Sequence, residues 1–217
     1  MSYDGWKSYA RAPLAIRATV ALLITLAFLA GPALLDGWGY QHLYYVNVYD
    51  HDWARLFRVI GFWPTWIVVG LVIWLNERDT DRAGAKRRAN LVIWIPAASG
   101  VLCEVVKLLL RRERPDVDAG SWVFRPWSEH TFSSAGLATP SSHTMVAFAA
   151  ATIMARLFPR ARWVFYLLAA GCAATRVMAR AHYVSDVTFG AILGWAIAWG
   201  IWMQFKPTSL PGLQSVA

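Results

Sequence analysis

His182 and Asp186 stand four residues apart in the stretch AHYVSD. If a helix has begun there, both side chains fall on one face. A carboxylate so placed holds one imidazole nitrogen as a donor and leaves the other free to attack, which is the histidine–aspartate part of triad logic with histidine as the nucleophile. A second histidine, His143, follows Pro140, Ser141 and Ser142 at the mouth of an apolar run. That Pro-Ser-Ser turn predicts a helix start with serine as its cap. The first amides of such a helix, with the positive end of its dipole, form an anion site within reach of the ring. Lys107 and Arg114 in KLLLRRERP, and Arg176 in TRVMARAHYVSD, are cations at the borders of apolar runs. Glu104 and Glu113 lie near the first group and are too few to neutralise them all. Such cations are costly without partners, so an anion from outside is expected, and the planar arginine fork suits phosphate oxygens.

The elements that must position these groups are apolar. The 217 residues are 57% hydrophobic and 16% charged, with thirteen tryptophans. Six apolar segments stand out, at 18–35, 56–75, 91–110, 144–158, 163–179 and 187–205. The first, second, third and sixth are long enough to cross a bilayer at about 1.5 Å per residue; the fourth and fifth are shorter. The expected fold is therefore all-α: a polytopic membrane protein, a bundle of six transmembrane helices, in one domain over residues 1–217. The run at 18–35 reads as an uncleaved first span, because no small-x-small cleavage site follows it. Pro64 and Pro96 lie within spans and are expected to bend them.

Residues 36–54 carry no Lys or Arg, whereas 76–90 carry five. The positive-inside rule puts the N-terminus and the 76–90 loop in the cytoplasm. The three polar groups, Lys107–Pro115, Pro140–His143 and Thr175–Asp186, then share the extracytoplasmic end of the bundle. The net charge of +8 would suggest nucleic acid in a soluble protein. Here the cations sit at the ends of apolar runs, so lipid headgroups and phosphate are the expected partners. Cys103 and Cys172 lie inside apolar runs and read as small buried thiols. Arg111, Arg112 and Arg180 read as interface anchors or contributors to the local field, and Glu104 as the structural partner of Lys107. His42, His51 and His130 read as loop or interface residues, and the aromatic cluster at 38–53 as an interfacial belt. The loop at 111–142, with Trp122, Phe124 and Trp127, reads as a cover over the site.

Taken together, the three groups resemble the type 2 phosphatidic acid phosphatase superfamily. Its pattern is Lys, six residues, Arg-Pro; then Pro-Ser-Gly-His; then Ser-Arg, five residues, His, three residues, Asp. Lys107 and Arg114-Pro115 match in full. Pro140, Ser141 and His143 match, with Ser142 in the glycine position. Arg176, His182 and Asp186 match, with Thr175 in the serine position. The Ser142 departure narrows the allowed backbone angles, so a left-handed conformation there would be strained. The resemblance implies phosphoryl transfer through a phosphohistidine with no metal or other cofactor. His182 is implied as nucleophile, Asp186 as its support and His143 as the acid and then base. Lys107, Arg114, Ser141, Ser142 and Arg176 are implied to hold phosphate.

The implied substrate is a phospholipid or polyprenyl diphosphate in a bacterial inner membrane, with the site facing the periplasm or exterior. A Ser-Ser second motif also occurs among dolichyl diphosphate phosphatases, which turns the reading towards undecaprenyl diphosphate. Phosphatidic acid, phosphatidylglycerol phosphate and the 1-phosphate of lipid A are the alternatives. Three rivals stand beside this reading: a metal-dependent hydrolase using His130, His143, His182 and Asp186, a lipid phosphotransferase, and a lipid-binding protein without turnover.

Overall fold

The computed structural model describes residues 31–115 and 122–205. Their order is α1 (Asp36–His42), a 3-10 turn (Val48–Asp50), α2 (Asp52–Ile60), α3 (Trp63–Glu77), α4 (Arg82–Leu110), α5 (Ser142–Leu157), a second 3-10 turn (Pro159–Ala161), α6 (Arg162–Met178) and α7 (Val184–Gln204). The only extended pairing among the described residues is two isolated bridges, Arg112 with Phe124 and Glu113 with Leu137. The chain is an integral membrane protein by its apolar helices. α4 and α7 are long and apolar enough to cross a bilayer, and α2 with α3 makes a third if that bent pair is one span. The expected first span, 18–35, lies mostly outside the described residues.

The expected second span is not one helix. α2 and α3 meet at 72° across Gly61 and Phe62. Pro64 stands in the first turn of α3, where its missing N–H costs nothing, so it starts the helix and does not bend one. Pro96 lies inside α4, which runs continuously over 29 residues. The start of α4 is capped by Asp81, whose side chain accepts from the Gly84 amide at 2.9 Å. Arg88 in α4 reaches back to Glu77 and Asp81 and ties the α3–α4 turn together.

The shortest apolar segment, 144–158, forms the centre of the bundle. α5 packs against α4, α6 and α7, and its Ala147, Ala149, Ala150, Ala151 and Ile153 are buried. Alanine depresses its hydropathy and also lets the neighbours close on it. The closest approach is with α7. A Cβ on Gly194 would stand 2.2 Å from the Met145 carbonyl oxygen, and one on Gly190 would stand 2.9 Å from that of Ser141. Small residues four apart let two backbones meet, as in membrane helix pairs generally. This contact sets the starts of α5 and α7 side by side, at the end of the bundle where the three motifs lie.

Candidate active site

The α5 end of the site is built on Ser141, the N-cap residue, whose backbone is extended at φ −75° and ψ 114°. Its hydroxyl does not cap the helix. It accepts instead from the Thr144 hydroxyl at 3.1 Å, while its amide donates to the Asp186 carbonyl at 3.1 Å. Ser141 is fully buried beneath the helix start. The amides of Ser142 and His143 open α5, where helix geometry leaves donors without intrahelical acceptors. Ser142 lies within the helix and its φ is not positive, so the position makes no demand for glycine. Its hydroxyl receives a bond from Lys107 Nζ and donates to Glu104 Oε1, each at 2.6 Å. Lys107 Nζ lies 3.2 Å from the same carboxylate oxygen, so Glu104 is the structural partner of Lys107.

Lys107 and Arg114 arrive by different routes. Lys107 is on the last turn of α4 and is buried. The helix ends at Leu110, and Arg111 turns the chain with a left-handed φ of 57°. Arg114 is then carried by the loop, its amide bonded to the Gly136 carbonyl at 3.0 Å. Burial and the neighbouring Arg176 charge lower its pKa, while Glu104 and Asp186 oppose that shift. Arg176 ends α6. Its Nη1 donates to the Tyr49 hydroxyl at 2.9 Å, and Tyr49 donates onward to the Thr175 carbonyl at 3.1 Å.

His182 is almost fully buried in the turn before α7. Burial, then Arg176, Lys107, Arg114 and His143, hold the ring neutral well below the ordinary histidine range. The same three cations, with Arg58 from α2, also lie within electrostatic range of His143. Both histidines and all three motif cations therefore converge at one end of the bundle.

The histidine–aspartate pair differs from the expectation of a shared helical face. α7 begins at Val184, so His182 precedes it, and Asp186 is the third residue of the helix, closing a capping box. Asp186 Oδ2 accepts from the Tyr183 amide at 2.8 Å and lies 3.9 Å from His182 Nδ1. That separation is too long for a hydrogen bond, and Nδ1 makes none among the described residues.

Several residues in and around the site carried no signal for their roles. Arg111 and Arg112 are both buried and neither is an interface anchor. Arg111 Nε and Nη2 bond the carbonyls of Arg125 and Pro126 at 3.0 and 2.8 Å, and Nη2 also bonds the Glu129 carbonyl, so this side chain organises the 125–129 stretch of the loop. Arg112 pairs with Asp36 and Asp186 at 2.8 and 2.9 Å. A buried guanidinium needs such partners, but adjacent arginines in a sequence do not say which will be buried. Arg180 bonds the Tyr40 carbonyl and lies against the Tyr40 and Tyr44 rings. Tyr49, expected in an interfacial belt, supports Arg176. Cys103 and Cys172 are buried free thiols directed at the carbonyls of Pro140 and His143, at 3.4 and 3.8 Å. Among the described residues, no three His, Cys, Asp or Glu side chains are grouped to hold a metal ion.

The structure is similar to the crystal structure of the PAP2 type phosphatidylglycerolphosphate phosphatase from Bacillus subtilis. The TM-score is 0.61 at 17% identity, over 87% of this chain and 98% of that one, which is a likeness of fold. In sequence, the chain is 38% identical over 131 residues to a lipid A 1-phosphatase of Rhizobium johnstonii, covering 56% of this chain and 50% of the relative. It is 39% identical over 121 residues to a lipid A 1-phosphatase of Rhizobium etli, covering 52% and 51%. The chain thus spans about half the length of these relatives. The pattern of the PAP2 superfamily matches residues 88–209, which hold all three motifs and α5 to α7. The chain belongs to the PAP2 superfamily.

Proposed function

We propose that this chain is a lipid phosphatase that works through a phosphohistidine at the extracytoplasmic face of a bacterial inner membrane. The observation that carries this reading is the neutral, buried His182 set among Lys107, Arg114 and Arg176 with His143 in range. A neutral imidazole is a nucleophile, and three cations counter the charge of the equatorial phosphoryl oxygens.

His182 turns Nδ1 towards Asp186, which leaves Nε2 to attack. In the first step Nε2 bonds to phosphorus as the bond to the lipid oxygen breaks, and His143 gives that oxygen a proton. Asp186 accepts the Nδ1 hydrogen and offsets the charge on the phosphorylated ring. In the second step His143 takes a proton from water, the water oxygen bonds to phosphorus and the P–N bond breaks. Lys107, Arg114, Arg176 and the opening amides of α5, those of Ser142 and His143, hold the phosphoryl group throughout. Ser141 supports the turn from below. Phosphoryl transfer asks mainly for such positioning and charge stabilisation.

The two Rhizobium relatives favour the 1-phosphate of lipid A as the substrate. Undecaprenyl diphosphate is the second reading, from the Ser141–Ser142 pair. The test is phosphate release by detergent-purified protein from lipid A, undecaprenyl diphosphate, phosphatidic acid and phosphatidylglycerol phosphate, with EDTA present. Wild type is expected to be fastest on lipid A, and His182→Ala to lose at least about 10³-fold in kcat/KM. Activity abolished by EDTA and restored by a divalent metal would replace this mechanism with metal-assisted hydrolysis. Transfer to an acceptor lipid without free phosphate would make the chain a phosphotransferase. Lipid binding without turnover would make it a binding protein.

A further inference from the structure

Asp186 is held by more than its partnership with His182 requires. Its Oδ1 accepts from Arg112 Nη1 at 2.9 Å and from the Thr139 hydroxyl. Its Oδ2 accepts from the Tyr183 amide, which leaves the His182 side as the remaining direction. Arg112 Nη1 also donates to the Ser185 hydroxyl at 2.7 Å, and Nη2 donates to Asp36 Oδ2 at 2.8 Å. Asp36 closes the ring: Oδ1 accepts from the Ser185 amide at 2.8 Å and Oδ2 from the Ser185 hydroxyl at 2.6 Å. The guanidinium lies 3.6 Å from the Trp122 ring centroid and 4.2 Å from that of Tyr183. Asp36, Arg112 and Asp186 are 1%, 1% and 0% exposed.

A buried ion triad is a poor way to gain stability. Desolvating three charges offsets most of their attraction, and apolar residues of the same volume commonly serve as well or better. A triad built against the carboxylate that faces the nucleophile has a more specific use. Arg112 alone would fix the plane of Asp186 but draw off its negative charge. Asp36 returns a negative charge to the far side of the guanidinium, so the three side chains together carry one net negative charge. Asp36 lies outside the residues that match the superfamily pattern, 88–209.

We propose that Asp36 and Arg112 are positioning residues for the reaction: together they orient Asp186 and maintain it as a full hydrogen-bond acceptor for His182 Nδ1–H. This rests on the phosphohistidine reading for its kinetic consequence, but not for its effect on the ring. The test uses the full chain in detergent with Arg112→Gln, Arg112→Lys and Asp36→Asn, each also in an Asp186→Asn background. Folding is checked by size exclusion and melting temperature.

Arg112→Gln is expected to lower kcat about 10- to 100-fold, the scale of a lost outer partner of a reacting group. KM and inhibition by inorganic phosphate should change less than about threefold, because the cations on phosphate are untouched. Arg112→Lys should recover part of the loss. In the Asp186→Asn background the further loss should be under about threefold, since Arg112 then has no carboxylate to act through. Nitrogen-15 NMR of His182 supplies a readout independent of turnover: wild type should carry its proton on Nδ1, and Arg112→Gln should lose that preference. Asp36→Asn tests the same point if Arg112→Gln does not fold. An unchanged kcat and tautomer in a folded variant, or equal losses in both backgrounds, would overturn the proposal. Absence of phosphate release by wild type from every lipid would count against the phosphatase reading alone, and the tautomer would still decide the role of Arg112.

Discussion

His182 is the residue on which the proposed chemistry turns, and its environment has a consequence for stability. Burial and the cations around it hold the folded-state ring neutral well below 6.5. In the unfolded chain the ring takes up a proton as pH falls through its ordinary value near 6.5. Between those two values unfolding binds a proton, so this group lowers stability as pH falls from about 6.5 towards its folded pKa. Wild type should therefore lose more melting temperature between pH 7.5 and 5.5 than His182→Asn does. Parallel curves would mean that His182 is not held neutral. Ser142 teaches a different lesson at the same scale. Its departure from glycine suggested backbone strain, but the residue sits in ordinary helix and spends its hydroxyl between Lys107 and Glu104.

Among the elements, the break between α2 and α3 matters most to the site. Gly61 lies at the break and packs on the start of α5. A Cβ there would stand 2.6 Å from the His143 carbonyl oxygen, 2.7 Å from the His143 Cβ and 2.8 Å from Cys172 Sγ. Two of these contacts are to the residue expected to deliver the proton. Gly61→Ala must push α5 or α2 aside, at a cost of about 1–3 kcal/mol for overpacking. Displacement of His143 by about 1 Å would cost up to about 10²-fold in rate. The expected result is a folded protein with kcat reduced about 10- to 100-fold, read in the same phosphate-release assay. Full activity at an unchanged melting temperature would show that the contact relaxes without moving His143. The end of α4 is equally consequential. Lys107 and Arg114 are seven residues apart, but only the first is helical, and the left-handed turn at Arg111 delivers the second.

For the whole molecule, the site draws on more of the chain than the superfamily pattern covers. Asp36 and Tyr49 come from before residue 88 and hold Asp186 and Arg176 through Arg112 and a phenol. The orientation proposed from charge has 76–90 inside and the aromatic loop outside. Trp127 and Lys86 are both exposed, at opposite ends of α4's neighbourhood. The native cysteines are buried and should not react. Trp127→Cys should therefore be labelled by an impermeant maleimide on intact spheroplasts, and Lys86→Cys only after permeabilisation. The reverse pattern would put the site in the cytoplasm and exclude a periplasmic substrate pool.

The sequence by itself determined the helical membrane character, the places of the five later apolar elements, and the motif residues that converge. Those features are legible because apolar periodicity and residue spacing are local, and because three motifs in order are specific. The tertiary structure alone decided that 56–75 breaks in two, that α7 starts after His182, and that Ser141 supports the turn without capping it. It also decided which arginines are ties within the protein, Arg111 to loop carbonyls and Arg112 to two aspartates. Lys107, Arg111 and Arg112 look alike in sequence, and their roles separate only when burial supplies each charge with different partners: Glu104 and Ser142, a set of loop carbonyls, and two aspartates. A buried charge is defined by what surrounds it, and those surroundings come from residues up to 149 positions away.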